Sequence, residues 1–329
     1  MSYIFETSNL ITDCFAAFMM HSRRDFLRRS VLVLGYGGIS QTAAAATGTD
    51  SVEPIVDIHQ HLSYAGRTND VLIAHQAAMG VTTTVLMPSG DRGPDHPGGS
   101  GEHEAVLALS RALPMKFVFF ANEVPTLADA RQSLERQLRK GAIGIGEQKF
   151  RVDCDSPEMV MVAEVAREFD VPILLHFSHG LYNRRFERFH RMLERFPTVN
   201  FIGHSGAWWA NIGKDYVEGI DSPRGPVNAG GLTDRYLTDY PNCFADLSAE
   251  TGYRAIIRDE AHYREFMRRH QDQLVFGSDC DDGVGRAPLC TGARTIAAIR
   301  RLAPSKDIER KILHGNSRRL LKLAPLRVG

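Results

Sequence analysis

The sequence predicts an α/β protein folded as a (β/α)8 barrel. Three observations lead there. Eight short apolar runs recur at even intervals and alternate with helix-like segments. The runs are rich in Val, Ile and Phe without a clean polar face, as in parallel strands buried on both sides. No glycine-rich turn follows the first run, where a doubly wound sheet usually carries one; His59-Gln60-His61 stands there instead.

The strands are expected, in order, at Ile55–Ile58, Thr82–Met87, Phe117–Phe120, Ala142–Phe150, Pro172–Phe177, Asn200–Gly206, Cys243–Leu247 and Leu274–Asp279. After strand three, Leu127, Ala130, Leu134 and Leu138 recur at helical spacing within a segment ending at Lys140. After strand four, Ser156-Pro157 is an N-cap followed by a proline at the first helical position, opening a helix to Phe169. Further helices are expected at Tyr182–Phe196, Tyr253–Arg269, Thr291–Leu302 and Ile308–Leu323. Two stretches break the rhythm: the glycine- and proline-rich Ser89–Gly101 after strand two, and the polar Asn211–Thr233 after strand six. Both follow carboxyl ends of strands, where a barrel keeps its active site, and are read as loop insertions that wall or cover it.

The chain has 329 residues, 39 Lys plus Arg and 39 Asp plus Glu. This balance argues against a nucleic-acid partner, which requires a basic stripe. No apolar run reaches the ~20 residues of a membrane span. The neutral sum hides two unlike parts. Arg23 and Arg24, then Arg28 and Arg29, precede a short apolar core, Val31 to Ile39, and four alanines, Ala43 to Ala46. Basic segment, apolar core and Ala-x-Ala site in that order are a secretory signal. Ser22-Arg23-Arg24-Asp25-Phe26-Leu27 resembles the twin-arginine export motif, which implies passage through that machinery and a periplasmic location. Residues 1–46 are therefore expected to be a signal peptide, with 1–18 an untranslated extension before Met19, and residues 47–329 the barrel. Removal of 1–46 leaves 35 basic and 36 acidic residues. Cys154, Cys243, Cys280 and Cys290 remain; their spacings match neither a zinc ribbon nor a disulfide framework, and they read as buried thiols, with an oxidising compartment permitting a pair.

The strand ends carry the chemistry. His59 and His61 are two apart and share a face. Strand five ends in His176, strand six in His204, and strand eight in Gly277-Ser278-Asp279. In a barrel these residues converge at one mouth, where imidazoles and a carboxylate bind a divalent metal such as zinc. Glu147 and Lys149 on strand four are candidates for the same centre. By alternation Cys280 faces the helix layer as a packing thiol, and Asp281 returns inward, where it would orient a ligand histidine. His179 lies just past strand five, within reach of a substrate. Trp208 and Trp209 follow strand six, either as a stacking wall or as core.

His59-Gln60-His61, His176, His204 and Asp279 together resemble the amidohydrolase superfamily, closest to its amidohydrolase-related branch (amidohydrolase 2), over nearly the whole of residues 47–329. Ile312-Leu313-His314-Gly315-Asn316 resembles that branch's closing segment, which makes His314 structural. The resemblance implies that His59, His61, His176 and Asp279 hold the metal, and that His204 either binds a second ion or acts as acid or electrophile. Gly144-Ile145-Gly146-Glu147 also resembles the TatD-type deoxyribonucleases, in which the glutamate bridges two metals; Glu147 is then a ligand, and Lys149 pairs with it, contacts an anionic substrate or carries a bridging carbamate. The implied reaction is hydrolysis of an amide, lactone or ester of a small molecule by water activated on one or two metal ions, with Asp279 moving the proton and His204 assisting. The alternatives are a metal-dependent decarboxylase and a TatD-type phosphodiesterase, the latter disfavoured because strand eight reads Gly-Ser-Asp rather than Glu-Thr-Asp. Substrate contacts are expected from Lys149, His179 and Trp208, and a homo-oligomer is compatible with the sequence.

Overall fold

The structure is a computed structural model and describes residues 53–88, 102–283 and 290–324. The expected signal peptide and the Ser89–Gly101 insertion lie outside the described residues.

Eight parallel strands alternate with helices. They are β1 (Val56–His61), β2 (Thr83–Met87), β3 (Phe117–Phe119), β4 (Ile145–Gln148), β5 (Ile173–His176), β6 (Phe201–His204), β7 (Cys243–Asp246) and β8 (Leu274–Val275). Helices follow at α1 (Asn69–Ala78), α2 (His103–Ala112), α3 (Ala130–Arg139), α4 (Pro157–Phe169), α5 (His190–Arg195), α6 (Gly206–Ala210), α7 (Leu232–Asp239), α8 (Ala249–Arg258), α9 (Glu260–Arg269), α10 (Thr291–Leu302), α11 (Lys306–Arg310) and α12 (Asn316–Leu320). The strands pair in chain order as β1–β2–β3 and β4–β5–β6–β7–β8. Backbone bonds join the two groups into a ring. Ala121 N donates to Gly144 O (2.8 Å) between β3 and β4, and Ile58 N donates to Phe276 O (3.1 Å) between β1 and β8.

Sequence chemistry fixes several boundaries. Ser156 caps α4 by accepting from Met159 N, with Pro157 at the first turn, and Asp170 ends it in the left-handed conformation. The segment expected as one helix from Tyr253 to Arg269 is two, because Asp259 leaves helical geometry and accepts from His262 N as the cap of α9. The segment expected over Ile308–Leu323 is α11, a π-helical turn at Lys311–Gly315, and α12. Tyr182–Phe196 is helical only as a 3-10 turn at Phe186–Arg188 and as α5. Residues 211–231 hold neither helix nor strand.

The core has two layers. Inside the ring, Val56, Ile58, Val85, Phe120, Leu174, Ile202, Phe244 and Val275 fill the barrel, and Leu320 and Leu321 close its lower end. Between ring and helices lies the larger layer, which includes Trp208 and Trp209. The expectation that Trp208 contacts substrate is corrected here. Trp208 is fully buried and packs on Phe177, Phe186 and Phe189. Its ring lies so close to β6 that a Cβ on Gly203 would come within 2.1 Å of it. Trp209 is core as well, its indole N–H donating to Asp246 O at 3.1 Å. Trp208→Ala should therefore lower unfolding free energy by about 3–5 kcal/mol in urea titration; a wild-type midpoint with altered KM would restore the stacking-wall role.

Candidate metal centre

Six side chains meet at the carboxyl end of the barrel: His59 and His61 of β1, Glu147 of β4, His176 of β5, His204 of β6, and Asp279 just past β8. Four of the strands bring residues here by plain alternation. Leu174 and then His176 face inward, as do Ile202 and His204, Phe244 and Asp246, and Val275, Gly277 and Asp279. β1 and β4 do not alternate plainly. The β1–β2 register shifts between Asp57 and Gln60, and the β4–β5 register shifts between Ile145 and Gln148. Ile58 and His59, consecutive residues, consequently both point inward, and Glu147 turns in although Ile145 packs in the outer layer.

The imidazoles are held by their outer nitrogens. His59 Nδ1 donates to Asp246 Oδ2 at 2.7 Å, and His61 Nδ1 donates to Met87 O at 3.0 Å. Both Nδ1 atoms thus carry the proton in the neutral ring, and both Nε2 lone pairs point inward, 3.3 Å apart. Two lone pairs at that distance repel unless a cation lies between them. Two nitrogens on one tetrahedral zinc, at ~2.0–2.1 Å from it, lie about 3.3–3.4 Å apart. Asp279 Oδ1 completes the group, 3.8 Å from His59 Nε2 and 3.6 Å from His61 Nε2. His59, Glu147 and His204 form a second candidate group that shares His59. The residues present fit a divalent metal.

Asp246 and Ser248 on and after β7 were not anticipated. Asp246 Oδ2 accepts from His59 Nδ1 and from the Ser248 hydroxyl (2.6 Å) and lies 3.2 Å from His204 Nδ1, while Ser248 Oγ accepts from His204 Nδ1 at 2.9 Å. Their sequence signal is Asp246-Leu247-Ser248, two polar residues on one face at the carboxyl end of β7. Asp246 performs the orienting role expected of Asp281, which is exposed to solvent. Gly277 makes room for this network: a Cβ there would sit 2.5 Å from Asp246 Oδ1 and 2.8 Å from His59 Cβ. Tyr64, also unanticipated, donates its hydroxyl to Asp279 Oδ1 at 2.6 Å.

Charge follows from this packing. Burial works against ionisation of His59, Glu147, His176, His204, Asp246 and Asp279, and the neighbours reverse it selectively. It pulls His204 down, but bonds to Asp246 and Asp279 push it up to about 10. His176 stays lowered to about 4 because burial outweighs its bond to Glu147 Oε1. Burial would raise Asp246, yet His204 and His59 hold it at about 2. Against burial, Lys149 and His176 hold Glu147 well below the carboxylate range, and His59, His204 and His61 do the same for Asp279.

Of the expected substrate contacts, Lys149 lies close enough to the cluster to lower Glu147, and His179 faces a neighbouring cavity. Lys149 is half-buried with its Nζ 5.9 Å from the Tyr182 ring, and Glu147 occupies the place among the imidazoles. His179 stacks on Tyr216 and lines a cavity of about 650 Å³ with Arg184, Arg185, Phe186 and Asn211. None of the six cluster residues lines that cavity, which opens on the loops after β5 and β6.

Residues 56–323 match the family model described as "Amidohydrolase". No curated protein matches the sequence. Among solved structures, an uncharacterized TIM-barrel protein from Bordetella bronchiseptica superposes with a TM-score of 0.61 at 16% identity, over 82% of this chain and 98% of that one. The 5-carboxyvanillate decarboxylase of Sphingomonas paucimobilis gives 0.57 at 11% identity, over 83% and 100%. A probable 2-pyrone-4,6-dicarboxylic acid hydrolase from Acinetobacter baumannii, with citric acid bound, gives 0.57 at 15%, over 82% and 99%.

If Asp246 fixes the inward-facing Nε2 atoms of His59 and His204, Asp246→Asn should weaken metal binding about 10–100-fold. Competition against a chromophoric chelator measures it, and unchanged affinity would remove Asp246 from that role.

Proposed function

The chain belongs to the amidohydrolase family, and from that premise we propose that it is a hydrolase of a small-molecule amide, lactone or ester, working with two divalent ions, zinc by preference. The observation that carries this reading is the placement of Glu147 between two pairs of imidazoles. Its Oε2 faces His61 Nε2 (3.4 Å) and His59 Nε2 (4.0 Å), while its Oε1 bonds His176 Nδ1 and lies 3.6 Å from His204 Nε2. Asp279 repeats the pattern, with Oδ1 toward His59 and His61 and Oδ2 3.5 Å from His204 Nε2. Carboxylates shared between two donor pairs suit a two-ion centre, the arrangement that clamps attacking and leaving oxygens. His59, His61, Glu147 and Asp279 would hold one ion, and Glu147, His176 and His204 the other.

Such ions supply Lewis acidity toward the scissile carbonyl and lower the pKa of water toward about 7. The protein supplies the proton path. Tyr64 occupies Asp279 Oδ1, which leaves Oδ2 to take the proton of the attacking water and return it to the leaving group. Asp279 suits this because its neighbours keep it ionised at neutral pH. His204, fixed through Nδ1 by Asp246 and Ser248, presents Nε2 to the same point. His179, Arg184 and Arg185 in the neighbouring cavity would bind the part of the substrate away from the scissile bond.

The second reading is a metal-dependent decarboxylase, supported by the fold shared with 5-carboxyvanillate decarboxylase. It needs no attacking water and no proton carrier for one. Protein prepared without added metal should hold close to two ions per chain by elemental mass spectrometry; a ratio near one would favour His204 as a catalytic group instead of a ligand. Asp279→Asn, at retained metal content, should lower hydrolytic kcat about 10²–10⁴-fold. Carbon dioxide from aromatic acids, without hydrolysis of esters or lactones, would replace this reading with the second. The arginine-rich residues 22–30 support export by the twin-arginine route. Substitution of Arg23 and Arg24 by Lys should leave unprocessed precursor in the cytoplasm, seen by fractionation and intact mass.

A further inference from the structure

Among the described residues outside this centre, a cluster of three potential metal ligands remains without a role. Cys280 Sγ and Cys290 Sγ are 3.6 Å apart, and His75 Nε2 is 3.6 Å from Cys290 Sγ. All three residues are buried, the His75 and Cys290 side chains completely. Among the described residues, His75 Nδ1 has no hydrogen-bond partner. The Met79 thioether stands 3.6 Å from Cys290 Sγ. Gly292 lets it stand there, since a Cβ at that position would lie 2.6 Å from Met79 Sδ.

We propose that His75, Cys280 and Cys290, with Met79 beside them, form a separate site for one thiophilic d10 cation, Zn(II) or Cu(I). The distances carry the assignment. Around a tetrahedral ion with bonds of ~2.3 Å to sulfur and ~2.0–2.1 Å to nitrogen, two sulfurs lie about 3.8 Å apart and sulfur and nitrogen about 3.6 Å. A disulfide would need sulfurs at ~2.05 Å. Two thiolates, one imidazole and a neighbouring thioether are a soft donor set, unlike the nitrogen and oxygen donors of the catalytic centre. Binding releases the two thiol protons, and two thiolates cancel the charge of a divalent ion, which suits an apolar interior. The ion would tie three elements together: α1 through His75 and Met79, the segment after β8 through Cys280, and the cap of α10 through Cys290, whose sulfur accepts from Ala293 N. Cys280 directly follows Asp279, and its carbonyl accepts from Gln60 and Arg67. The site would therefore steady the backbone that presents the catalytic carboxylate.

The test does not depend on the proposed reaction. Full-length protein, reduced and kept anaerobic, is titrated with Co(II), and in a second arm with Cu(I) delivered from a bicinchoninate complex. Only a thiolate ligand gives near-ultraviolet sulfur-to-cobalt charge-transfer absorption, so the catalytic centre is silent in this readout. One equivalent of that absorption per chain is expected. It should persist in His59→Asn, disappear in Cys280→Ser and Cys290→Ser, and require at least about tenfold more Co(II) in His75→Gln. The Cu(I) arm identifies which ion binds more tightly. Absence of the absorption in the wild-type protein would overturn the proposal, as would its survival in both serine variants. So would a Cys280–Cys290 disulfide found by peptide mapping of the protein as isolated. If the serine variants fold poorly, Met79→Leu, which conserves volume, should still shift the cobalt spectrum; the wild-type titration decides in any case.

Discussion

The hydrogen bond from His59 Nδ1 to Asp246 Oδ2, 2.7 Å long between two fully buried groups, determines the state of the centre. An imidazole offers one lone pair when neutral, and the nitrogen that bears it is decided by the partner of the other. Asp246 takes the Nδ1 proton side of His59 and, with Ser248, that of His204. Both Nε2 atoms are left facing the barrel axis. Met87 O does the same for His61 from the backbone of β2. The donor set is thus created one shell further out, by groups that never reach the axis.

This arrangement would be expensive without a cation. Glu147, Asp246 and Asp279 are carboxylates held at low pKa in a place where burial opposes ionisation. The imidazoles supply part of the compensating charge, most of all His204, pushed up to about 10. A divalent ion held by these residues would supply the rest of that charge, since ligand imidazoles must be neutral and ligand carboxylates ionised. The same burial that makes the charges costly strengthens their hold on a cation, because little water screens them.

How much of this is legible in the sequence depends on each strand. Where alternation is plain, as from Leu174 to His176 or from Val275 to Asp279, the inward face follows from two-residue spacing alone, and Cys280 falls to the helix layer as expected. The same rule applied to β1 and β4 reaches His59, His61 and Glu147 only because those residues were chosen for their chemistry. Their orientation comes from register shifts that no spacing announces. Trp208 shows the opposite failure: its position after β6 was right, but its face was undetermined until Gly203 proved to be the gap that seats its ring. Asp246 has no ligand signature in the sequence, because a carboxylate that bonds the outer nitrogens of candidate ligands follows no ligand spacing. Asp281, nearer in sequence to the ligands, lies exposed.

Closing the barrel and building the centre are the same event. The first and last strands meet through Ile58 N to Phe276 O, and beyond β8 the backbone N–H of Asp279 donates to His59 O at 2.8 Å. The bond that fastens the final seam therefore sets the distance between His59 and Asp279, the first and last cluster residues in the chain, 220 residues apart. Contacts of such separation form late, because their loop-closure entropy must be met before they return any stabilisation. A chain with the seam open holds His176, His204 and Glu147 near one another on adjacent strands but lacks Asp279 beside His59 and His61. Gly277, inside that seam, has no side chain because Asp246 and His59 occupy the space. The same absence that lets β8 approach β1 lets Asp246 reach His59, so a chain that closes correctly also carries the correct imidazole tautomer at its mouth.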